Sequence, residues 1–270
     1  MIFYKIVPFL YYYSFTMKNI LILTIFLFIS TKLICQQQIE TNKTVKTPFL
    51  SAVSDYPGKY FFSISTGYSN QTFPELFYTF YNSSDSYKRF TNGLINGFYN
   101  SIEAAYFFKR IPNLGLGLKY SKTFCSSSAS DISFNNENKP IAGGSLYQKM
   151  NYGFFGPQLS ARTLFLKKNF FCTKISLGCV YFNQYTHSSN EVLERKFTIQ
   201  SKSVGINFEI GYDYLISKHL ALGLQAEYGG GAFSEYKLKE YNKVIYIPFG
   251  DEHEPDLSPL SIAVGIRYNF

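Results

Sequence analysis

The chain has 270 residues, with 24 Tyr and 28 Phe but no Trp, and only 16% of its residues are charged. That charged share is well below the roughly 25% of an ordinary soluble domain and leans towards a chain that meets lipid. The formal charge of +8 comes without an Arg-rich helix, a basic stripe interleaved with aromatics or zinc-finger spacing, so nucleic acid is not an expected partner.

Taken in chain order, the sequence first shows a leader. From Met17 it reads MKNILILTIFLFISTKLICQQQ, a lysine followed by an apolar core over 20–29 and a polar step. This is the layout of a cleaved secretory signal peptide, and the core is too short for a membrane-spanning helix of about 20 residues. Residues 1–35 are therefore expected to be leader and signal peptide, with Met17 as the functional start. A lipoprotein cleaved before Cys35 would carry a small residue where Ile34 stands. The leader holds three lysines and no acid, so the remaining chain carries 23 bases against 18 acids, or +5. Residues 36–58 have no periodicity and read as a periplasmic lead-in.

From residue 59 onward the sequence alternates. The spacing predicts strands at 60–69, 98–108, 114–121, 152–164, 171–182, 204–214, 220–229 and 260–270, eight in all. In the sixth, Val204, Ile206, Phe208, Ile210, Tyr212 and Tyr214 share one face, while Gly205, Asn207, Glu209, Gly211 and Asp213 share the other. Short turns near 109–113, 165–170 and 215–219 alternate with long Ser-, Asn- and Tyr-rich connections near 70–96, 125–148, 183–201 and 230–257, which are expected to be loops. The last strand, SIAVGIRYNF, runs to the final residue and ends on an aromatic. Its apolar face must be covered by a second sheet or by lipid. Loops sorted by length to the two ends are what a membrane barrel shows, and only a closed barrel satisfies every strand hydrogen bond in lipid. Tyr120, Tyr181, Tyr214, Tyr228 and Tyr268, at strand ends, are expected to form interfacial girdles.

The signal peptide, the eight alternating strands, the alternating connections and the ending Tyr268, Asn269, Phe270 resemble the small eight-stranded outer-membrane barrels of Gram-negative bacteria, the OmpA/OmpX-like family. The resemblance covers 59–270. It implies an all-β, up-and-down antiparallel meander closed into a transmembrane barrel, with short periplasmic turns and long extracellular loops. It also implies that Tyr268 and Phe270 are the signal read by the barrel-assembly machinery, and that outer-membrane lipid and lipopolysaccharide surround the barrel, here expected as a monomer. Fold alone does not fix function. The role expected is structural or surface-interacting, carried by the extracellular loops, with no cofactor and no enzyme activity.

By parity the inward charges are Glu103, Lys119, Arg162, Lys174, Glu209, Asp213, Glu227 and Arg267, in a barrel only wide enough for side chains. Equal distance from turn centres predicts Glu103 opposite Lys119, Glu209 opposite Glu227, and Arg162 opposite Lys174 with Asp213 as the acid between them. Such a plugged lumen is expected not to conduct, against the alternative of a narrow channel.

For chemistry, His187 and Ser189 in THSS, with Glu191 nearby, resemble the dyad of lipid A deacylase barrels, in which His activates Ser towards membrane lipid. A solvated loop is the simpler account, because a dyad also needs an orienting group and an oxyanion site. His219 in a short turn and His253 among Asp251, Glu252, Glu254 and Asp256 read as surface residues, and the acidic run lacks a ligand spacing for a cation. Cys172 and Cys179 lie seven residues apart on one strand and face opposite ways, so no disulfide or metal framework is expected.

Overall fold

Period-two alternation with polar and small residues on one side leaves each strand one face to bury and one to expose, and a curved antiparallel sheet resolves this by closing on itself. A computed structural model describes residues 58–71, 85–109, 111–136, 139–166, 168–189, 194–241, 243–248 and 256–270. Eight strands form the ring: β1 (Tyr60–Gln71), β2 (Asn96–Phe107), β3 (Leu114–Asn136), β4 (Lys139–Leu166), β5 (Asn169–Ser189), β6 (Glu194–Leu215), β7 (Leu220–Ala232) and, after three short pieces, β11 (Pro259–Asn269). Each pairs antiparallel with its neighbours in the chain, and β11 closes on both β7 and β1. Starting at Tyr60 and following cross-strand partners through Tyr106, Leu116, Leu159, Ile175, Phe208, Tyr228 and Leu260 leads back to β1 at Asn70, ten residues along. That stagger is the tilt a closed barrel requires.

Side chains sort by parity around the whole ring. Ile64, Leu118, Leu177, Leu222 and Val264 are more than half exposed on the outside, while Ser63, Ser65, Ser101, Ser121, Gln158, Ser176 and Gln225 are buried inside. An aqueous protein would not show this inside-out arrangement, and a bilayer demands it. Aromatics ring the band. Tyr60, Tyr106, Tyr214, Tyr268 and Phe270 stand near the short-turn end, and Tyr68, Phe98, Tyr120 and Tyr228 on the other side.

Away from the short turns, the long connections are more ordered than their composition suggests. Residues 125–148 are not a loop: β3 and β4 continue as one tall hairpin to the pair Asn136 and Lys139. Residues 183–201 continue β5 and β6 to Ser189 and Glu194. The connection 230–257 contains the hairpin of β8 (Glu235–Glu240) and β9 (Lys243–Pro248), joined to the ring through β6, and a two-residue β10 (Asp256–Leu257) on β7. The connection after β1 contains the helix α1 (Asp85–Ile95). In this tall portion the interior changes character. Phe90 and Leu94, four residues apart on one helix face, join Cys125, Met150, Phe154, Phe182, Phe197, Ile199 and Phe233 in a buried apolar cluster. The interior is therefore mainly polar through the middle of the ring, with this apolar cluster as an upper tier and a smaller one of Phe61, Ala105 and Phe107 at the short-turn end. The expected signal peptide, the lead-in before Gly58, Glu191 and residues 251–255 of the acidic run, His253 among them, lie outside the described residues.

Candidate functional site: the barrel lumen

All eight inward charges occupy the lumen and are at most 5% exposed. Pairing register brings them together across strands. Glu103 stands opposite Lys119 on β2 and β3, and Glu209 opposite Glu227 on β6 and β7. At the centre Lys119 Nζ lies 3.2 Å from Glu103 Oε1 and 2.7 Å from Glu227 Oε2, and it also reaches Glu209. Lys174 Nζ lies 2.7 Å from Glu209 Oε1 and pairs with Glu103 on its other oxygen. Two ammonium groups thus serve three carboxylates. The carboxylate least supplied with cations, Glu227, makes up the difference with neutral donors: the Tyr99 hydroxyl, the Asn207 amide and the Ser121 hydroxyl at 3.3 Å. Buried charges persist only when paired and hydrogen-bonded in this way.

A second group sits closer to the short turns. Arg267 is fully buried, with Nε 2.9 Å from Asp213 Oδ1, an ion pair whose angle falls short of a hydrogen bond. Arg267 Nη2 donates to Gln225 Oε1 at 2.9 Å, which also accepts from Ser65 Oγ. The guanidinium fits because β7 carries Gly223 between β6 and β11: a Cβ there would stand 1.0 Å from Arg267 Nη1. Arg162 lies lowest, donating to the carbonyls of Pro112 at 3.1 Å and Gly58 at 3.0 Å and stacking on Phe107 at 3.7 Å.

The expected pairing of Arg162 with Lys174 does not occur. Arg162 stands opposite Cys172, and Lys174 opposite Ser160: the turn pairs Leu166 with Asn169, off a centre at Lys168, and an irregularity between Leu164 and Leu166 shifts the register one residue further. Asp213 accordingly does not mediate between them. It pairs with Arg267 on β11, reaching across β7 to a strand with which β6 makes no backbone pairing. Tyr99, Ser65, Asn207 and Gln225 were not singled out from the sequence, although their shared parity with the inward charges marks them. A cavity of about 20 Å³, lined by Phe61, Phe107, Arg162, Phe170, Lys174 and Asp213 among others, has room for about one water.

The His187 and Ser189 pair lies high on the tall hairpin, beyond the aromatic band. His187 Nε2 is 3.0 Å from Glu194 Oε1, and Ser189 is registered opposite Glu194. Lys196 and His187 together hold the Glu194 carboxyl below the usual carboxylate range. Among the described residues no cluster of three or more His, Cys, Asp or Glu could hold a metal. Cys125 and Cys172 are buried thiols, and Cys179 faces outward. His219 Nδ1 meets the Asn269 carbonyl at 2.8 Å and stacks on Tyr268. Phe270 closes the seam through its backbone: its N–H donates to Tyr60 at 2.9 Å and its carbonyl accepts from Lys59 at 2.6 Å.

No protein-family model matches the sequence, and no curated protein is similar to it. Solved structures are similar in fold. A major outer membrane protein of Thermus thermophilus superposes with a TM-score of 0.52 at 12% identity, over 78% of this chain and 99% of that one. The outer membrane protease OmpT of Escherichia coli gives 0.44 at 12% identity over 66% of this chain, which spans 65% of the protease, and Neisserial surface protein A gives 0.36 at 14% identity over 79% and 98%. The fold is that of the outer-membrane β-barrels, an eight-stranded transmembrane ring.

Proposed function

We propose that this protein is a bacterial outer-membrane barrel whose role is structural or surface-interacting, exercised through the tall hairpins and helix outside the cell, with the short turns in the periplasm. The observation that carries this reading is the filled lumen. A central ion network within the bilayer and an apolar cluster with Phe90, Leu94 and Phe233 above it support a lumen closed to bulk water. The working surface is therefore the outside of the molecule. Its partners there are outer-membrane lipid, lipopolysaccharide and the surroundings of the cell, and the barrel-assembly machinery reads Tyr268 and Phe270 during insertion. The alternative of a lipid-modifying enzyme at His187 and Ser189 gains little support from the geometry: Glu194 meets His187 Nε2 as an orienting acid would, but among the described residues no hydrogen bond joins His187 to Ser189.

Planar-bilayer recording tests the reading directly. The purified chain is expected to give no steady conductance, whereas large, stable open-channel currents would sink it. Incubation with lipopolysaccharide micelles, followed by mass spectrometry for released acyl chains, tests the enzymatic alternative. Release that disappears in Ser189→Ala would replace the proposed role with a hydrolase.

A further inference from the structure

On one side of the barrel the outward residues of four adjacent strands fall into register rows. One such row runs Lys122, Gly153, Tyr181, Lys202 across β3, β4, β5 and β6. Two residues down each strand the row is Tyr120, Phe155, Cys179, Val204, and two further down it is Leu118, Pro157, Leu177, Ile206. Cations thus sit directly above an aromatic step and then an aliphatic wall. Gly153 is what gives the top row its shape. With no Cβ in the way, the Tyr181 ring lies flat across that position, where a Cβ would fall 1.8 Å from the ring, and its hydroxyl meets Tyr120 at 2.9 Å. The result is a floor of one ring flanked by two lysines.

The β8–β9 hairpin overhangs this floor. Lys237, registered opposite Gln200, holds its ammonium 5.7 Å from the Tyr246 ring, and together they bound an open recess of about 1050 Å³ that includes Lys122, Tyr181 and Lys202. One carboxylate, Glu235, also borders it. None of the three lysines has an acidic partner among the ion pairs of the described residues. Lys122 lies instead over Phe124 at 4.5 Å.

We propose that this recess seats the phosphorylated headgroup of an outer-leaflet lipid. Lys122, Lys202 and Lys237 contact the phosphate, and the acyl chains descend over Phe155, Cys179 and Val204. Charge complementarity selects an anion. The apolar rows directly beneath select one that carries chains rather than a free ion, because inorganic phosphate would leave the lower half of the site uncovered. Near an anionic leaflet each lysine adds a measurable share of binding. The inference rests on the outer-membrane reading above.

The test uses the full chain reconstituted in phosphatidylcholine nanodiscs and titrated with lipopolysaccharide, native mass spectrometry counting bound molecules. Lys122→Gln, Lys202→Gln and Lys237→Gln combined are expected to weaken binding by about a hundredfold. Lys239→Gln with Lys243→Gln, on the same hairpin but away from the recess, should leave it unchanged. Dephosphorylated lipopolysaccharide should bind as weakly as the triple variant. Equal binding by the triple variant, equal binding of the dephosphorylated lipid, or displacement by millimolar inorganic phosphate would each overturn the proposal. Heat-modifiable migration separates the two readings. If the unmodified chain does not insert, the outer-membrane reading fails and takes this inference with it, whereas insertion without phosphate-dependent binding overturns the headgroup seat alone.

Discussion

Replacing Lys119 by Met should be the most damaging single change in the lumen. Its ammonium is 0% exposed and is shared by Glu103, Glu209 and Glu227. Lys174 reaches only the first two. In Lys119→Met, three buried carboxylates would depend on one cation, and Glu227 would retain only neutral donors. Stranding a buried charge in this way costs about 3 to 5 kcal/mol. Glu103→Gln makes the opposite case. Lys119 keeps two carboxylates, Lys174 keeps Glu209, and the excess of acid over base falls, so the loss should be about 1 kcal/mol, that of an ordinary hydrogen bond. Urea unfolding in detergent micelles, followed by tyrosine fluorescence and heat-modifiable migration, measures both. A Lys119→Met barrel within about 1 kcal/mol of the unmodified one, or a Glu103→Gln barrel that is the weaker of the two, would refute the three-to-two arrangement.

Gly223→Ala should displace the Arg267 guanidinium, because the new methyl would occupy its place, and a loss of several-fold in refolding yield is expected together with a lowered unfolding midpoint, while Gly229→Ala, which meets only the end of the Asn207 side chain, should be milder. Leu222→Lys, on the lipid face, should cost about 2 to 4 kcal/mol if it lies near mid-membrane; full tolerance in a refolding titration into vesicles would mean that the outer face does not meet lipid. Phe270→Asp should leave the chain exported but not inserted, read by membrane fractionation, and normal insertion would remove the assembly role from this residue. Glu194, held low by Lys196 and His187, gives those contacts at neutral pH and loses them as pH falls through its depressed value. NMR titration should find it charged below the point where an unpaired glutamate protonates.

Parity was the legible part. A period of two needs no knowledge of neighbours, so the faces of all eight ring strands, and with them the set of inward charges, follow from the string of residues. Hairpin partners such as Glu103 and Lys119 follow too when the turn is regular. The Arg162 side of the lumen was not legible for two physical reasons. A backbone irregularity beside Leu164 moves the register without leaving a mark in composition, and the Asp213 and Arg267 contact reaches across β7 over Gly223 between strands not paired with each other, so no hairpin symmetry reveals it. The upper tier misled for another reason. Runs such as Ser126, Ser127 and Ser128 have loop-like composition, yet they are held as strand because they pair with β4 and because Cys125 and Ala129 on either side meet a buried cluster to which a helix distant in sequence adds Phe90 and Leu94.

The reversal of interior polarity along each tall strand bears on folding fidelity. A one-residue slip exchanges the two faces of a strand along its whole length. In a strand with one environment, such an error incurs a single penalty. In β5, the same slip would turn Lys174 towards the acyl chains while turning Phe182 towards water, with Val180 leaving its buried site at the junction. Misalignment is therefore opposed by two solvents at once, and neither tier can relax the error by shifting towards the other. The alignment of β5 is specified twice over by a single chain, so substitutions that soften one tier should still leave the other to enforce the correct pairing.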